Sequence, residues 1–397
     1  MTRLAPTSAE EVADMVRDVR ALGTKLRIRG GDTRHRTGLT EDHSAVLDLS
    51  GLDRIIAYEP DELVLTAEAG VRLDTVVALL ATRGQHLAFE PAARAGSTLG
   101  GVISANIAGP RRLVAGAVRD HFLGFEAVNG RGIRFRAGGR VVKNVTGFDL
   151  PKLLAGSWGS LAALTTVTVK VMPAPATVLT LALDGLDDAR AIAALCRACG
   201  TAAEVSGAAH LPGGATLLRL EGFAPSVAAR AILLEAALSG FGNLRRLDDD
   251  EGRAVWRTLT DGEDDAASQW RLTVPPTAAA ATVAALAARH DLHARYDWAG
   301  GLVLLAVAAD GAAVAPDIHA LAHAAGGSAM LRYQDLSLIT RYPPVTGPAG
   351  EIGEVWSAEG VRERGKAERG DKTMLDALIP AAEAAAAAAE AGASLIE

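Results

Sequence analysis

Two glycine-rich segments carry the residue types best suited to chemistry, Arg29-Gly30-Gly31-Asp32-Thr33 and Gly96-Ser97-Thr98-Leu99-Gly100-Gly101. A diphosphate can be held by successive backbone N–H groups only where no Cβ blocks its approach, and the hydroxyls of Thr33, Ser97 and Thr98 could add donors. Either loop alone is weak evidence and reads more readily as a plain turn, because Gly-Gly pairs mostly mark turns. Neither matches G-x-x-x-x-G-K-[ST] or G-x-G-x-x-G, so the P-loop and Rossmann fingerprints are missing and a nicotinamide cofactor is disfavoured.

The remaining candidates are weaker. Cys196-Arg197-Ala198-Cys199 is formally C-x-x-C. It falls at a predicted helix C-terminus, whereas a redox pair sits at an N-terminus, where the helix dipole lowers the thiol pKa. His319 and His323 stand at i, i+4 on one helix face but lack the Glu of H-E-x-x-H and a third ligand. No metal site is expected. Arg119, Asp120, Lys143 and Asp149 read as ordinary ion pairs. Arg111 and Arg112 read equally as solvated charges beside a loop.

The elements that must position the glycine loops are legible. Ser8 with Glu11 three residues on is a capping-box signature, followed by an apolar stripe through Val12, Met15, Val16 and Val19 up to Gly23. Residues 25–29 alternate like a strand that feeds the first loop. Strands over 45–49, 53–58 and 62–67 precede a helix over 72–82, and residues 164–171 read as a further strand. Met172-Pro173-Ala174-Pro175 marks a domain boundary. Beyond it the order is strand 178–182, helix 186–198, strands 203–208 and 216–220, helix 226–238 and strand 243–247, a ferredoxin-like βαββαβ unit. A similar order recurs over 271–274, 278–288, 292–297, 302–306, 313–325 and 328–331. The predicted organisation is α+β, with domains over 1–175 and 176–342 and a charged, alanine-rich helical tail over 343–397.

At 397 residues with 49% hydrophobic content, the chain can bury more than one core. A net charge of −7 without a Lys/Arg-rich run makes nucleic acid an unexpected partner. The N-terminus lacks the apolar core of a signal peptide and no run is long enough to span a membrane, so a cytoplasmic location is expected. Two cysteines exclude a disulfide framework and are too few for an iron–sulfur cluster, so electrons would leave through a partner.

Context for the glycine loops comes from the longer series Gly96 to Arg112, Gly116-Ala117-Val118-Arg119-Asp120, Lys143-Asn144-Val145-Thr146-Gly147-Phe148-Asp149-Leu150 and Gly156-Ser157-Trp158-Gly159-Ser160-Leu161. In this order the set resembles the FAD-binding domain of the PCMH-type (vanillyl-alcohol-oxidase) flavoproteins. The Ala-Gly-Pro-Arg-Arg, Val-Arg-Asp and Lys-Asn-Val-Thr-Gly-Phe-Asp-Leu segments resemble the GlcE family of glycolate oxidase subunits in particular. The resemblance covers about the first 175 residues well and continues more weakly to Tyr342. It implies a PCMH-type FAD-binding domain of two α/β subdomains followed by a ferredoxin-like cap.

By the same likeness, Arg29, Gly30, Gly31, Asp32 and Thr33 would wrap the FAD pyrophosphate. Gly96, Ser97, Thr98, Leu99, Gly100, Gly101, Ser104 and Ala105 would pass beside the diphosphate and isoalloxazine, and Gly159, Leu164 and Thr165 would approach the adenosine half. Relatives carry Gly-Val-Ile-Thr where this chain has Ala162-Ala163-Leu164-Thr165. Some attach flavin covalently through a His next to the first loop; His35 is separated from Gly31 by three residues, and non-covalent FAD is expected. The resemblance further implies oxidation of a 2-hydroxy acid such as glycolate, a GlcD-like catalytic flavoprotein subunit and a GlcF-like iron–sulfur subunit as partners, and membrane contact only through them. The metal motif of the larger subunit is absent and no catalytic base can be named. Residues 364–381 resemble an internal piece of the nucleotide-binding subunit of dihydroxyacetone kinase, which makes residues 345–360 a candidate fusion junction.

Overall fold

The computed structural model describes residues 2–33, 45–92, 94–140, 148–261, 268–309 and 311–334. Lys143 to Gly147, His35 and the segment 343–397 lie outside these residues.

The N-terminal part begins with strand β1 (Thr2–Leu4), helix α1 (Ala9–Ala21), β2 (Leu26–Arg29) and β3 (Ala45–Asp48). The three strands form a parallel sheet in the order β1-β3-β2. Helix α1 covers it because Val12, Ala13 and Val16 fall on one face and pack with Leu47, Leu49 and Leu52. The Ser8 hydroxyl caps α1 by accepting the Glu11 N–H, as expected. The Glu11 carboxylate, however, reaches one residue further back, to the N–H and hydroxyl of Thr7.

Next come β4 (Ile55–Glu59), β5 (Val64–Glu68), α2 (Leu73–Ala81), β6 (Gln85–His86), α3 (Leu99–Ala105), α4 (Arg112–Ala115), β7 (Phe122–Asn129), β8 (Arg134–Gly138), α5 (Leu150–Leu154), β9 (Ala162–Lys170) and β10 (Met172–Pro173). Strands β4-β5-β9-β7-β8 make a second, antiparallel sheet, whose core with α2 and α3 is built from Leu65, Val76, Leu80, Phe89, Leu99, Val102, Ile103 and Val167. The expected boundary at Met172-Pro173 is itself paired, antiparallel to Gln85-His86.

The C-terminal part runs β11 (Thr177–Asp184), α6 (Asp188–Cys199), β12 (Gly207–His210), β13 (Ala215–Gly222), α7 (Ala224–Leu238), β14 (Arg245–Arg246), α8 (Asp249–Asp261), β15 (Ser268–Thr273), α9 (Pro276–Ala287), β16 (Leu292–Asp297), β17 (Leu302–Val307), α10 (Gly311–Ala324) and β18 (Ser328–Gln334). Both expected βαββαβ units are present. They fuse into one eight-stranded sheet, β14-β11-β13-β12-β16-β17-β15-β18, so each half has the ferredoxin-like order and the second mirrors the first. The seam is a single ladder pair, His210 with Tyr296. Both side chains reach Asp188: Tyr296 donates to one carboxylate oxygen at 2.5 Å and His210 Nε2 stands 3.3 Å from the other.

Three sequence expectations are corrected here. The strand read over 203–208 forms later, at Gly207–His210. Helix α8 was not foreseen in an acid-rich stretch; it forms because Trp256 and Leu259 bury against Ala182, Ala209 and Leu217, and the Trp256 Nε1 donates to Thr180. The segment 96–101 is a loop only up to Thr98, where α3 begins, with the Thr98 hydroxyl accepting the Gly101 N–H. Among the described residues no helix is long and apolar enough to cross a membrane.

Candidate functional site

The two glycine loops, 64 residues apart in sequence, meet in space. A Cβ on Gly31 would stand 1.6 Å from the Gly96 carbonyl oxygen, and one on Gly30 would stand 2.4 Å from Thr98 Oγ1. The loops therefore touch through bare backbone that no side chain can replace. Thr33 Oγ1 and Ser97 Oγ share a hydrogen bond of 3.1 Å, and Arg94 donates to the Thr33 carbonyl. Asp32, at φ 53°, and Gly96, at φ 93°, bend the two segments toward each other.

Positive charge lines the first loop. Arg27 and Arg29 both pair with Asp32, and Arg29 also reaches Asp48 at 3.2 Å. Burial pushes the Asp48 carboxyl up, but its hydrogen bonds to Ser50 and the charges of Arg29 and Arg3 outweigh that and hold it low. The Nε of Arg29 is buried with no hydrogen-bond partner among the described residues. A buried cationic donor beside interlocked glycine backbone is the donor set an anionic diphosphate fits.

The remaining expected residues divide. Gly159, at φ 75°, packs on Ile28 of β2 next to the first loop. Ser104 and Ala105 are half-buried at the end of α3, where the Ser104 carbonyl accepts the Trp158 N–H. Seven residues of helix at 1.5 Å each place Ala105 about 10 Å along α3 from the Thr98 cap. Leu99 belongs to the core, and Gly100 is glycine because a Cβ would come within 2.6 Å of the Ala69 Cβ. Leu164 and Thr165 are buried in β9, with Thr165 Oγ1 donating to the Glu126 carbonyl, so their side chains are already engaged within the protein.

A second constellation joins the two parts, and sequence reading did not foresee it. The Glu90 carboxylate accepts from Arg219 of β13 at 2.8 Å on each oxygen and also pairs with Arg111 at 3.2 Å. Arg111 in turn forks onto Glu221. Burial pushes Glu90 and Glu221 up, but the surrounding guanidinium groups outweigh it and hold both carboxyls below the usual range. Arg111 is thus no solvated charge. The adjacent His86 is driven down to about 4 by burial and by Arg111. Close by, Trp298 Nε1 donates to the Gly109 carbonyl at 3.1 Å, while Arg112 and Arg271 lie 4.7 and 4.8 Å from its ring centroid.

With this geometry in place, comparison with known proteins decides the cofactor. Residues 3–138 match the family model described as FAD binding domain. The N-terminal part of the chain is an FAD-binding domain. Residues 351–397 separately match the DAK2 domain model. The chain is 40% identical over 159 residues to glycolate oxidase subunit GlcE of Escherichia coli (strain K12), a stretch covering 40% of this chain and 45% of that protein. It is 30% identical over 179 residues to glycolate oxidase subunit GlcD of Bacillus subtilis (strain 168), covering 45% and 38% respectively. It is 29% identical over 186 residues to D-lactate dehydrogenase of Archaeoglobus fulgidus, covering 46% and 42%. The chain thus spans under half the length of these curated relatives. Among solved structures, alkyldihydroxyacetonephosphate synthase superposes with a TM-score of 0.64 at 14% identity, covering 82% of this chain and 71% of that one. That likeness extends the shared fold of mixed helix and sheet beyond the residues that match the FAD binding domain.

Among the described residues no group of three or more His, Cys, Asp or Glu side chains is arranged to hold a metal ion. Cys196 and Cys199 are free thiols in the last turn of α6, and burial pushes the Cys196 thiol up, away from reactivity. His319 lies edge-on to Trp270.

Proposed function

We propose that this chain is the FAD-binding subunit of a glycolate oxidase assembly, an oxidoreductase component acting on the CH–OH group of a 2-hydroxy acid. The observation that carries the reading is the interlock of the Gly30-Gly31 and Gly96 loops beside the buried Nε of half-buried Arg29, in a chain whose relatives bear glycolate oxidase and D-lactate dehydrogenase names. Arg29 to Thr33 and Gly96 to Thr98 hold the diphosphate of non-covalent FAD, Gly101 stays exposed beside it, and Ser104-Ala105 passes along the isoalloxazine. Bound there, FAD supplies a hydride acceptor for alcohol oxidation. The chain's own residues bind and orient: the cap seats on Gly109 through Trp298 and on Glu90 through Arg219.

Partners follow from the same reading. A GlcD-like flavoprotein and a GlcF-like iron–sulfur subunit complete the assembly and take the electrons onward, and the chain works in the cytoplasm, reaching the membrane only through them. The test is anaerobic addition of glycolate to the FAD-loaded chain, alone and with those two subunits. Bleaching of the flavin bands in either arrangement agrees with the proposal. Bands that persist with glycolate and all partners present refute it.

A further inference from the structure

The junction between the two parts carries two consecutive arginines in opposite electrostatic situations. Arg111 is fully compensated, by Glu90 on one side and by a fork onto Glu221 on the other. Arg112 is half-buried, and its guanidinium makes no hydrogen bond or ion pair among the described residues. Burial lowers its pKa, and its charged neighbours Asp120 and Arg119 act in opposite directions. What holds its guanidinium is the ring of Trp298, and a half-buried guanidinium without an anion leaves most of its five donors unused.

Trp298 is itself a built platform. It is 8% exposed, its Nε1 donates to the Gly109 carbonyl, and its backbone N–H donates to Asp297 Oδ1 at 2.7 Å. Trp298 and Ala299 both adopt left-handed φ values, 52° and 57°, a strain that persists only where surrounding contacts enforce it and that clusters at functional sites. The result brings one guanidinium from each side of the junction, Arg112 and Arg271, onto the same ring. Gly109, on which the platform rests, follows Ala105 at the end of α3 by four residues.

We propose that Arg112, stacked on Trp298 and flanked by Arg271, receives the carboxylate of the substrate. This rests on the reading of the chain as a 2-hydroxy-acid oxidoreductase and deepens it, because a small hydroxy acid offers one planar anion for a guanidinium fork. Arg111 serves the junction alone, and Arg112 serves the ligand.

The test uses the FAD-loaded full chain and oxalate, a dicarboxylate that cannot donate hydride, with binding followed by flavin absorbance and calorimetry. Arg112→Gln is expected to lose roughly 10- to 100-fold in oxalate affinity, the range for a hydrogen bond to a charged group, while FAD content and melting temperature hold. Arg112→Lys keeps the charge but not the fork and should show a smaller loss. Should Arg112→Gln unfold or shed FAD, Arg112→Lys alone decides: weakened oxalate binding supports the assignment and unchanged binding overturns it. Oxalate binding equal to wild type in a folded Arg112→Gln overturns it and leaves the FAD reading intact. A wild-type chain that retains FAD but binds no oxalate removes the carboxylate site together with the substrate class.

Discussion

Both oxygens of the Glu90 carboxylate lie 2.8 Å from terminal nitrogens of Arg219, a residue 129 positions later in the chain and 2% exposed. Glu90 reaches this position from a left-handed φ of 49°, and Gly109 makes room for it, since a Cβ there would stand 2.4 Å from the Glu90 carbonyl oxygen. The pair fastens the N-terminal part to the C-terminal part. Removing one partner strands a buried charge, so Arg219→Met is expected to cost roughly 3–5 kcal/mol. Combined with Glu90→Gln, the total should fall short of the sum by about 0.5–3 kcal/mol. A double-mutant cycle by urea denaturation measures both, and strict additivity would show that the pair is not coupled.

The glycine interlock makes a sharper prediction. Gly31→Ala places a Cβ 1.6 Å from the Gly96 carbonyl, so one loop must move. The expected result is loss of FAD affinity by at least about tenfold, or about 1.4 kcal/mol, with the far-UV spectrum unchanged. Gly130→Ala, where a Cβ meets nothing within 4 Å, is the control and should retain FAD. Flavin retention through gel filtration separates the two.

Two groups at the junction, buried Asp297 and half-buried His86, titrate in opposite senses. Burial lifts Asp297 from 3.8 to about 7, so the native state keeps a proton the unfolded chain has released, and stability falls as pH rises through that window. Burial drops His86 from 6.5 to about 4, so the native state sheds a proton the unfolded chain keeps, and stability rises with pH across it. The wild type should therefore be nearly flat between about 4 and 6.5. Asp297→Asn preserves the acceptor for the Trp298 N–H and should be more stable than wild type above pH 7, with the difference vanishing toward pH 4. His86→Gln should show stability that falls with rising pH. Melting temperatures across pH give the sign directly.

The tail gives a prediction of its own. A chain ending at Tyr342 should fold and hold FAD like the full one, because the FAD-binding domain match ends at 138 and the DAK2 match begins at 351. Dependence of flavin content on residues beyond 360 would contradict the fusion hypothesis.

Much of the fold was legible where local signals agree. Ser8, the stripe through Val12 and Val16, and alternation over 25–29 place α1 and β2 within a residue or two. The doubled βαββαβ order was also readable, but the fusion into one sheet was not, because it hangs on the single pair His210 with Tyr296. Helix α8 hides because its acidic residues dominate a stretch with few apolar anchors. The role of Gly100 misleads for a physical reason: close packing on Ala69 and ligand approach both demand glycine. Arg111 and Arg112 are indistinguishable in sequence, since Glu221 and Trp298, which separate their roles, lie more than a hundred residues away.

The central claim is that the interlocked loops bind FAD, and the visible absorption spectrum of the purified chain, after incubation with FAD and gel filtration, tests it most directly. Flavin bands that co-elute with the wild-type chain and with Gly130→Ala but not with Gly31→Ala are the predicted result. A wild-type chain that elutes without flavin, or a Gly31→Ala chain that keeps it fully, would contradict the assignment.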